Sequence, residues 1–109
     1  MSESAGSGGE GEAAAPSRAA PLVRVFAICN RKGLHARASA KFVQTVEKFD
    51  AEVRVTRGSE TVGGTSIMAL MMLAAAPGTS ITVEASGPEA AEVMDALAAL
   101  IASRFGEDD

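Results

Sequence analysis

Four segments of the chain have the pattern of apolar and polar residues, or the composition, that is typical of β-strands. Residues 22–28 combine β-branched and aromatic side chains, with Arg24 as the one polar interruption. Residues 51–56 and 81–86 alternate between apolar and polar, and residues 61–63 follow a turn and are short enough for a returning hairpin strand. Period-two alternation is typical of a strand with one face in the core and one in water. The pattern therefore predicts four strands.

Three other segments place apolar residues at the spacing of an α-helix. The first runs from about residue 35 to 48, and the second is the apolar stretch of residues 67–76, for which Ser66 is a candidate N-cap. The third begins with Pro88 at its first helical position and has Gly106 as a C-terminal cap. The predicted order is β-α-β-β-α-β-α, an α+β fold with helices on one sheet face and water on the other.

The chain is long enough for one domain and no more. Its 109 residues, 47% of them hydrophobic, suffice for a single core, which we expect over residues 22–106. Residues 1–21 are rich in Ser, Gly, Glu, Ala and Pro and are expected to form a disordered N-terminal tail. Residues 107–109 are expected to form an acidic C-terminal tail in solvent.

Composition and charge exclude several classes of protein. A formal net charge of −4 without Trp or Tyr argues against a nucleic-acid partner. No apolar run approaches the roughly 20 residues that span a bilayer, and the N-terminus lacks the pattern of a secretory signal. The single cysteine, Cys29, has no internal partner for a disulfide and is interpreted as a buried strand residue. We expect a cytoplasmic protein without a metal, a cofactor or a membrane partner.

The only histidine, His35, lies where the basic turn of residues 30–33 meets the first predicted helix. The first turn of a helix has N–H groups without intrahelical partners and a partial positive charge, so it binds anions such as phosphate. A phosphoryl group on His35 would accept hydrogen bonds from the backbone amides of Ala36 and Arg37. A neutral imidazole has a lone pair with which to attack phosphorus, and the Arg37 guanidinium can neutralise the phosphoryl oxygens.

Position alone leaves other interpretations open. A single histidine near a helix start is more often a cap or a surface residue. An allosteric or scaffold module that binds partners through the second helix would need no chemistry at His35. A hydrolase using Ser39 and His35 ranks last, because no orienting acid is close in sequence and no nucleophile elbow surrounds the serine.

Four longer motifs favour the phosphoryl chemistry. They are GLHAR at residues 33–37, SAKFV at 39–43, TSIMAL at 65–70 and ITVEASGP at 81–88. In these motifs the chain resembles the HPr family of phosphocarrier proteins, and the resemblance extends over residues 22–105. The first motif is similar to the phosphorylation-site segment of that family.

The resemblance implies an open-faced sandwich, a four-stranded antiparallel sheet covered on one face by three helices. It implies that His35 accepts a phosphoryl group on Nδ1 and that Arg37 stabilises the phosphate. The donor would be enzyme I, charged from phosphoenolpyruvate, and the acceptors IIA-type proteins, so the chain would be a carrier and not an enzyme. Family members commonly have proline where this chain has Ala38, a difference that affects the geometry of the helix start and removes no reacting group.

Ser66 is a second candidate site. It matches the serine that a dedicated HPr kinase/phosphorylase modifies in members of the family, and it precedes Ile67 and Met68 as the pattern requires. The alternative is that Ser66 or Thr65 is only a helix N-cap. Both roles are compatible, because a phosphate at a helix start strengthens the helix and adds about two negative charges to its surface.

The second predicted helix has more apolar residues than one buried face needs. Methionine-rich surfaces adapt to several partners, so this helix is a candidate docking surface, with core packing as the default for most of its residues. A basic rim of Arg31, Lys32, Arg37 and Lys41 would suit acidic partners, although a merely solvated charged face is an equal alternative. The predicted partner-contacting residues are Met68, Ala69, Leu70, Met71, Met72 and Lys41.

Within the family, residues 69–73, the strand residues 83–85 and the ending at 105–109 look closer to the nitrogen-related branch, often called NPr, than to dedicated sugar carriers. This suggests regulation more than sugar uptake. The Ser-Ile-Met segment at residues 66–68 also occurs in sugar-type and kinase-regulated members, so it does not separate the branches.

Overall fold

A computed structural model describes residues 21–107, so the predicted N-terminal tail, except Pro21, lies outside the described residues. The predicted order of strands and helices is confirmed. The elements are β1 (Leu22–Ala27), α1 (Ala36–Val46), β2 (Glu52–Arg57), β3 (Glu60–Gly63), α2 (Ile67–Met72), β4 (Ser80–Ser86), α3 (Ala90–Ala102) and a final 3-10 turn (Arg104–Gly106). None of the helices in the described part of the chain is long and apolar enough to cross a membrane.

The four strands form one antiparallel sheet in the order β1-β4-β2-β3. In the central strand β4, Ile81, Val83 and Ala85 are buried, as the period-two pattern predicts. Val83 pairs with Val55 of β2, so both valines point to the same face of the sheet. This face is the one that the helices cover.

One core fills the space between that sheet face and the helices. Phe42 and Val46 of α1 and Val93 and Leu97 of α3 are buried in the same cluster as the inward-facing strand residues. Burying such a side chain stabilises the fold by about 1.5–3 kcal/mol, so these contacts fix the position of α1 on the sheet. The site at the start of α1 therefore stands on a rigid base.

The first strand is more exposed than its sequence suggests. β1 is an edge strand, and Val23 and Val25 lie on the open face of the sheet, where Val25 is 67% exposed. Arg24, the polar interruption, shares the inner face with Val83, and its guanidinium lies 3.8 Å from the Asp95 carboxylate of α3. The helices cover only the other face of the sheet, so these two valines have no layer packed above them, and this explains their exposure.

The prediction that Cys29 is buried is wrong. After β1, Ile28 and Asn30 point into the protein, so Cys29 between them points outward and is exposed. Its thiol donates a weak hydrogen bond to the carbonyl of Ile101, at 3.4 Å. Side chains thus continue to alternate between the two sides of the backbone after the end of β1. The continuous apolar run before Cys29 gives no sign of this alternation in the sequence.

All three helices are shorter than predicted, and α1 covers residues 36–46 instead of about 35–48. α3 begins at Ala90 and not at Pro88, because Glu89 is bound to the loop before β2: its N–H donates to the Asp50 carbonyl, and its carboxylate accepts from the Asp50 N–H. α2 ends at Met72, and Ala74 has a φ of 55°, a left-handed conformation that cannot continue a helix.

Candidate functional site

His35 is the N-cap of α1, as its position in the sequence predicts. Its backbone is extended, and its Nδ1 accepts a hydrogen bond from the Arg37 N–H at 3.3 Å. The helix starts at Ala36 although Ala38 replaces the family's proline, so the histidine cap suffices to begin it. The reacting nitrogen named in the prediction thus faces the N–H groups of the first turn.

The loop before His35 depends on glycine. Gly33 has a φ of 63°, and a Cβ there would lie 2.2 Å from the Ala75 carbonyl oxygen. That same carbonyl accepts the Leu34 N–H at 3.0 Å, and the Gly33 carbonyl accepts the His35 N–H at 2.9 Å. The close approach of two backbone segments therefore sets the direction in which the imidazole leaves the chain.

The imidazole borders an open pocket of about 560 Å³, and 27% of its side chain is exposed. The lining of this pocket includes four cationic side chains, as the predicted basic rim requires. Arg31, Lys32 and Arg37 are exposed, and Lys41 is half-buried, with its Nζ donating to the Phe105 carbonyl at 2.7 Å. Cations and a helix start around one nucleophilic ring favour an anionic group such as phosphate.

The sequence analysis did not identify two residues of the candidate site, Glu107 and Asn30. Glu107 was expected in solvent, but only 13% of its side chain is exposed, and its carboxylate contacts the Nε2 of His35. Asn30 is buried, and its Nδ2 donates to the same carboxylate at 3.1 Å. No local pattern points to these contacts, because they join residues more than 70 positions apart.

The described part of the chain offers no cluster of three or more His, Cys, Asp or Glu residues that could hold a metal ion. Ser39, the alternative nucleophile, is fully buried, and its hydroxyl donates to the Leu34 carbonyl. It therefore has a structural role at the base of the loop, and the hydrolase interpretation loses its nucleophile.

Comparison with known proteins agrees with this geometry. The family model described as the PTS HPr component phosphorylation site matches residues 22–103. The chain is 50% identical over 88 residues to the phosphocarrier protein HPr of Cupriavidus necator and 55% identical over 88 residues to that of Neisseria meningitidis. Each alignment covers 81% of this chain and 99% of the relative. The chain belongs to the HPr family of phosphocarrier proteins.

A solved structure supports the same family at the level of the fold. HPr from Thermoanaerobacter tengcongensis superposes with a TM-score of 0.77 at 38% identity, over 81% of this chain and 99% of that one. The open sheet with three helices implied by the resemblance is confirmed. As an HPr-family protein of the phosphotransferase system, the chain is a carrier and not an enzyme.

The exposure of the residues of α2 corrects part of the predicted docking surface. Met68 and Met72 are 73% and 75% exposed, Ile67 and Met71 are also exposed, and Ala69 is half-buried. Leu70 is fully buried, so its prediction as a partner contact is wrong. Helical periodicity turns Leu70 toward α1 and the core while the methionines face outward. We call Ile67, Met68, Met71 and Met72 the methionine patch.

Ser66 is the N-cap of α2, and the capping alternative is confirmed. Its hydroxyl oxygen accepts the Ala69 N–H at 3.2 Å, and the residue is exposed. The side chain thus satisfies one backbone donor and remains open to solvent.

Proposed function

We propose that His35 accepts a phosphoryl group on Nδ1 from the phosphohistidine of enzyme I and passes it to a IIA-type protein. The observation that carries this proposal is the placement of a half-buried imidazole as the N-cap of α1, beside a pocket with four cationic side chains. A cytoplasmic location follows from this role, because phosphoenolpyruvate charges the donor there.

Each neighbour of His35 has a part in holding the phosphoryl group. The Arg37 N–H that now donates to Nδ1 would donate to a phosphoryl oxygen once Nδ1 is bonded to phosphorus, and the Ala36 N–H would add a second donor. The guanidinium of Arg37 would neutralise charge on the oxygens during transfer. The helix start stabilises the bound anion and leaves its outer side open to a partner.

Replacement of the histidine tests the proposal. Purified protein is incubated with enzyme I and labelled phosphoenolpyruvate, and the bound label is tested for stability in acid and alkali. We expect acid-labile, alkali-stable label on the natural chain and none on His35→Ala, with Thr61→Ala as an exposed control that labels normally. Undiminished labelling of His35→Ala would end the proposal.

The methionine patch supports a second part of the proposal, that enzyme I, IIA-type proteins and HPr kinase/phosphorylase dock on α2. Exposed apolar side chains that are flexible and unbranched suit several partners in turn. The same patch favours the alternative of a non-catalytic scaffold. A scaffold would bind partners equally well after His35→Ala and would have no acid-labile phosphate.

We also propose that the chain has a regulatory, nitrogen-related role and, as a separate point, that Ser66 is phosphorylated by HPr kinase/phosphorylase. Exposure of its hydroxyl at the start of α2, beside the methionine patch, supports modification that changes docking. Incubation with the kinase and ATP, followed by peptide mass spectrometry, is expected to place one phosphate on Ser66 and none on Ser66→Ala. A phosphate at another residue would contradict the proposal for Ser66.

A further inference from the structure

The imidazole of His35 is held from two sides. On one side Nδ1 accepts the Arg37 N–H at 3.3 Å, and on the other Nε2 contacts a carboxylate oxygen of Glu107. An acceptor nitrogen needs its lone pair, and a nitrogen that bonds to a carboxylate needs a hydrogen. These two contacts together select the tautomer with the hydrogen on Nε2 and the lone pair on Nδ1.

The carboxylate is brought to the ring by the turn that follows α3. Phe105 is buried and has a φ of 57°, a conformation that is unfavourable for a bulky residue and is held by its burial in the core. Lys41 of α1 donates to the Phe105 carbonyl at 2.7 Å, and Gly106 continues the turn with a φ of 72°. The burial of Phe105 and the hydrogen bond to its carbonyl thus fix the turn that directly precedes Glu107.

Asn30 orients the same carboxylate from below. Its side chain is buried, and its Nδ2 donates to the Gly33 carbonyl at 2.8 Å and to Glu107 Oε1 at 3.1 Å. Both partners are acceptors, which assigns the amide nitrogen to this side. The Oδ1 of Asn30 is buried without a hydrogen-bond partner among the described residues, so the side chain is held through the two hydrogen bonds that Nδ2 donates.

We propose that Glu107, oriented by Asn30, is a positioning residue for the reacting imidazole of His35. By accepting the Nε2 hydrogen it keeps the lone pair on Nδ1, the nitrogen that faces the Arg37 N–H in the first turn of α1. The inference rests on the proposed function, since it assigns a partner to the histidine that carries the phosphoryl group. The Asn30–Glu107–His35 series thus follows the logic of an acid that orients a nucleophilic base.

The transfer step balances with no proton moving to or from His35. The Nδ1 lone pair forms a bond to phosphorus while the bond from phosphorus to the donor's ring nitrogen breaks, and its electron pair stays on the donor ring. His35 then has phosphorus on Nδ1 and hydrogen on Nε2, so its ring is positively charged and the Glu107 carboxylate balances that charge. On release, the acceptor nucleophile bonds to phosphorus and the electron pair returns to Nδ1.

A carboxylate close to a pocket for anions has an alternative role, in which it opposes the binding of phosphate. A carboxylate beside bound phosphate repels it, so Glu107 would then slow uptake, and removing it would accelerate transfer. The direction of the rate change separates the two roles. The geometry favours positioning, because the carboxylate contacts Nε2, on the opposite side of the ring from the nitrogen that receives phosphorus.

The test compares Glu107→Ala and Glu107→Gln with Glu60→Gln, which changes an exposed glutamate on β3 by the same charge. Nitrogen NMR of the ring reports the tautomer without overlap, since the chain has one histidine. Uptake of label from enzyme I reports the rate. We expect the Nε2–H tautomer in the natural chain, a mixture and an about tenfold slower uptake in Glu107→Ala, and an intermediate rate in Glu107→Gln, which keeps an acceptor and loses the charge.

Three results would decide against the inference or the function beneath it. An unchanged tautomer and rate in Glu107→Ala, or a faster uptake, would overturn the positioning role. A similar slowing in Glu60→Gln would show a general effect of charge and also overturn it. Absence of label on the natural chain would overturn the proposed function instead, while the ring tautomer would still report whether Glu107 positions the imidazole.

Discussion

At the scale of single residues, the proposed chemistry depends on a few side chains around one ring. In the proposed transfer His35 supplies the nucleophilic nitrogen, and Arg37 is the exposed cation two residues further along the same helix start. A guanidinium offers several N–H donors in a fixed plane that matches phosphate oxygens, which a lysine ammonium does not. In the proposed reaction, the geometry of the cationic side chain at this position therefore matters as well as its charge.

Replacing Arg37 tests this point. We expect Arg37→Ala to take up label from enzyme I about tenfold or more slowly, because charge on the phosphoryl oxygens is no longer neutralised, and Arg37→Lys to recover part of the rate. Arg54→Ala is the matched control, since Arg54 is an exposed arginine of β2 far from the site. Equal rates for Arg37→Ala and Arg54→Ala would contradict the role of Arg37.

At the scale of elements, the site is the junction of a loop with a helix. α1 is anchored by Phe42 and Val46 in the core, while the loop before it is held by the contact of Gly33 with Ala75. The direction of His35 is therefore set by two chain segments that are far apart in sequence, the loop at Gly33 and the segment at Ala75. The N-cap of α1 depends on residues that are adjacent in sequence. The close approach of the loop at Gly33 to Ala75 depends on the tertiary structure.

Gly33 and Gly58 have the same φ of 63°, so replacing each by alanine separates the cost of backbone strain from the cost of a steric clash. A Cβ on Gly58 meets nothing within 4 Å, so Gly58→Ala is expected to lower the free energy of unfolding by only about 1 kcal/mol of backbone strain. Gly33→Ala adds the contact with Ala75 and is expected to lower it by roughly 2 kcal/mol more. Urea denaturation measures both, and equal losses would show that the backbone approach at Gly33 is unimportant.

At the scale of the whole molecule, the sheet carries the helices on one face and the site lies at one end of them. The methionine patch of α2 lies on the surface of the same domain, and α1 and α2 are in contact. A partner docked on the patch, as proposed, would therefore lie against the element next to α1. In the proposed function, recognition and chemistry belong to different side chains, so we expect that each can be changed separately.

A substitution in the patch is expected to change partner binding and not the chemistry. We expect Met72→Gln to raise the concentration of enzyme I needed for half-maximal uptake about tenfold, with the saturated rate and the stability unchanged. Val25→Thr replaces another well-exposed apolar residue, on the open sheet face, and should have no effect. An equal effect of both variants would contradict docking on the patch.

The order of the elements and the place of His35 at a helix start follow from the sequence alone, because strand alternation, helical spacing and caps are local properties of the backbone. Which side of an element is covered is decided by its neighbours. For this reason Leu70 proved to be core, Cys29 proved to be exposed and β1 proved to be an edge strand.

The contact of Glu107 with His35 could arise only in three dimensions. The turn at Phe105 brings Glu107 back against the loop at Asn30 and against the imidazole of His35, 72 positions earlier in the chain. No periodicity records such a contact, since it depends on how α3 packs on the sheet. The sequence therefore determined the proposed reacting group, and the tertiary structure decided which side chains contact it.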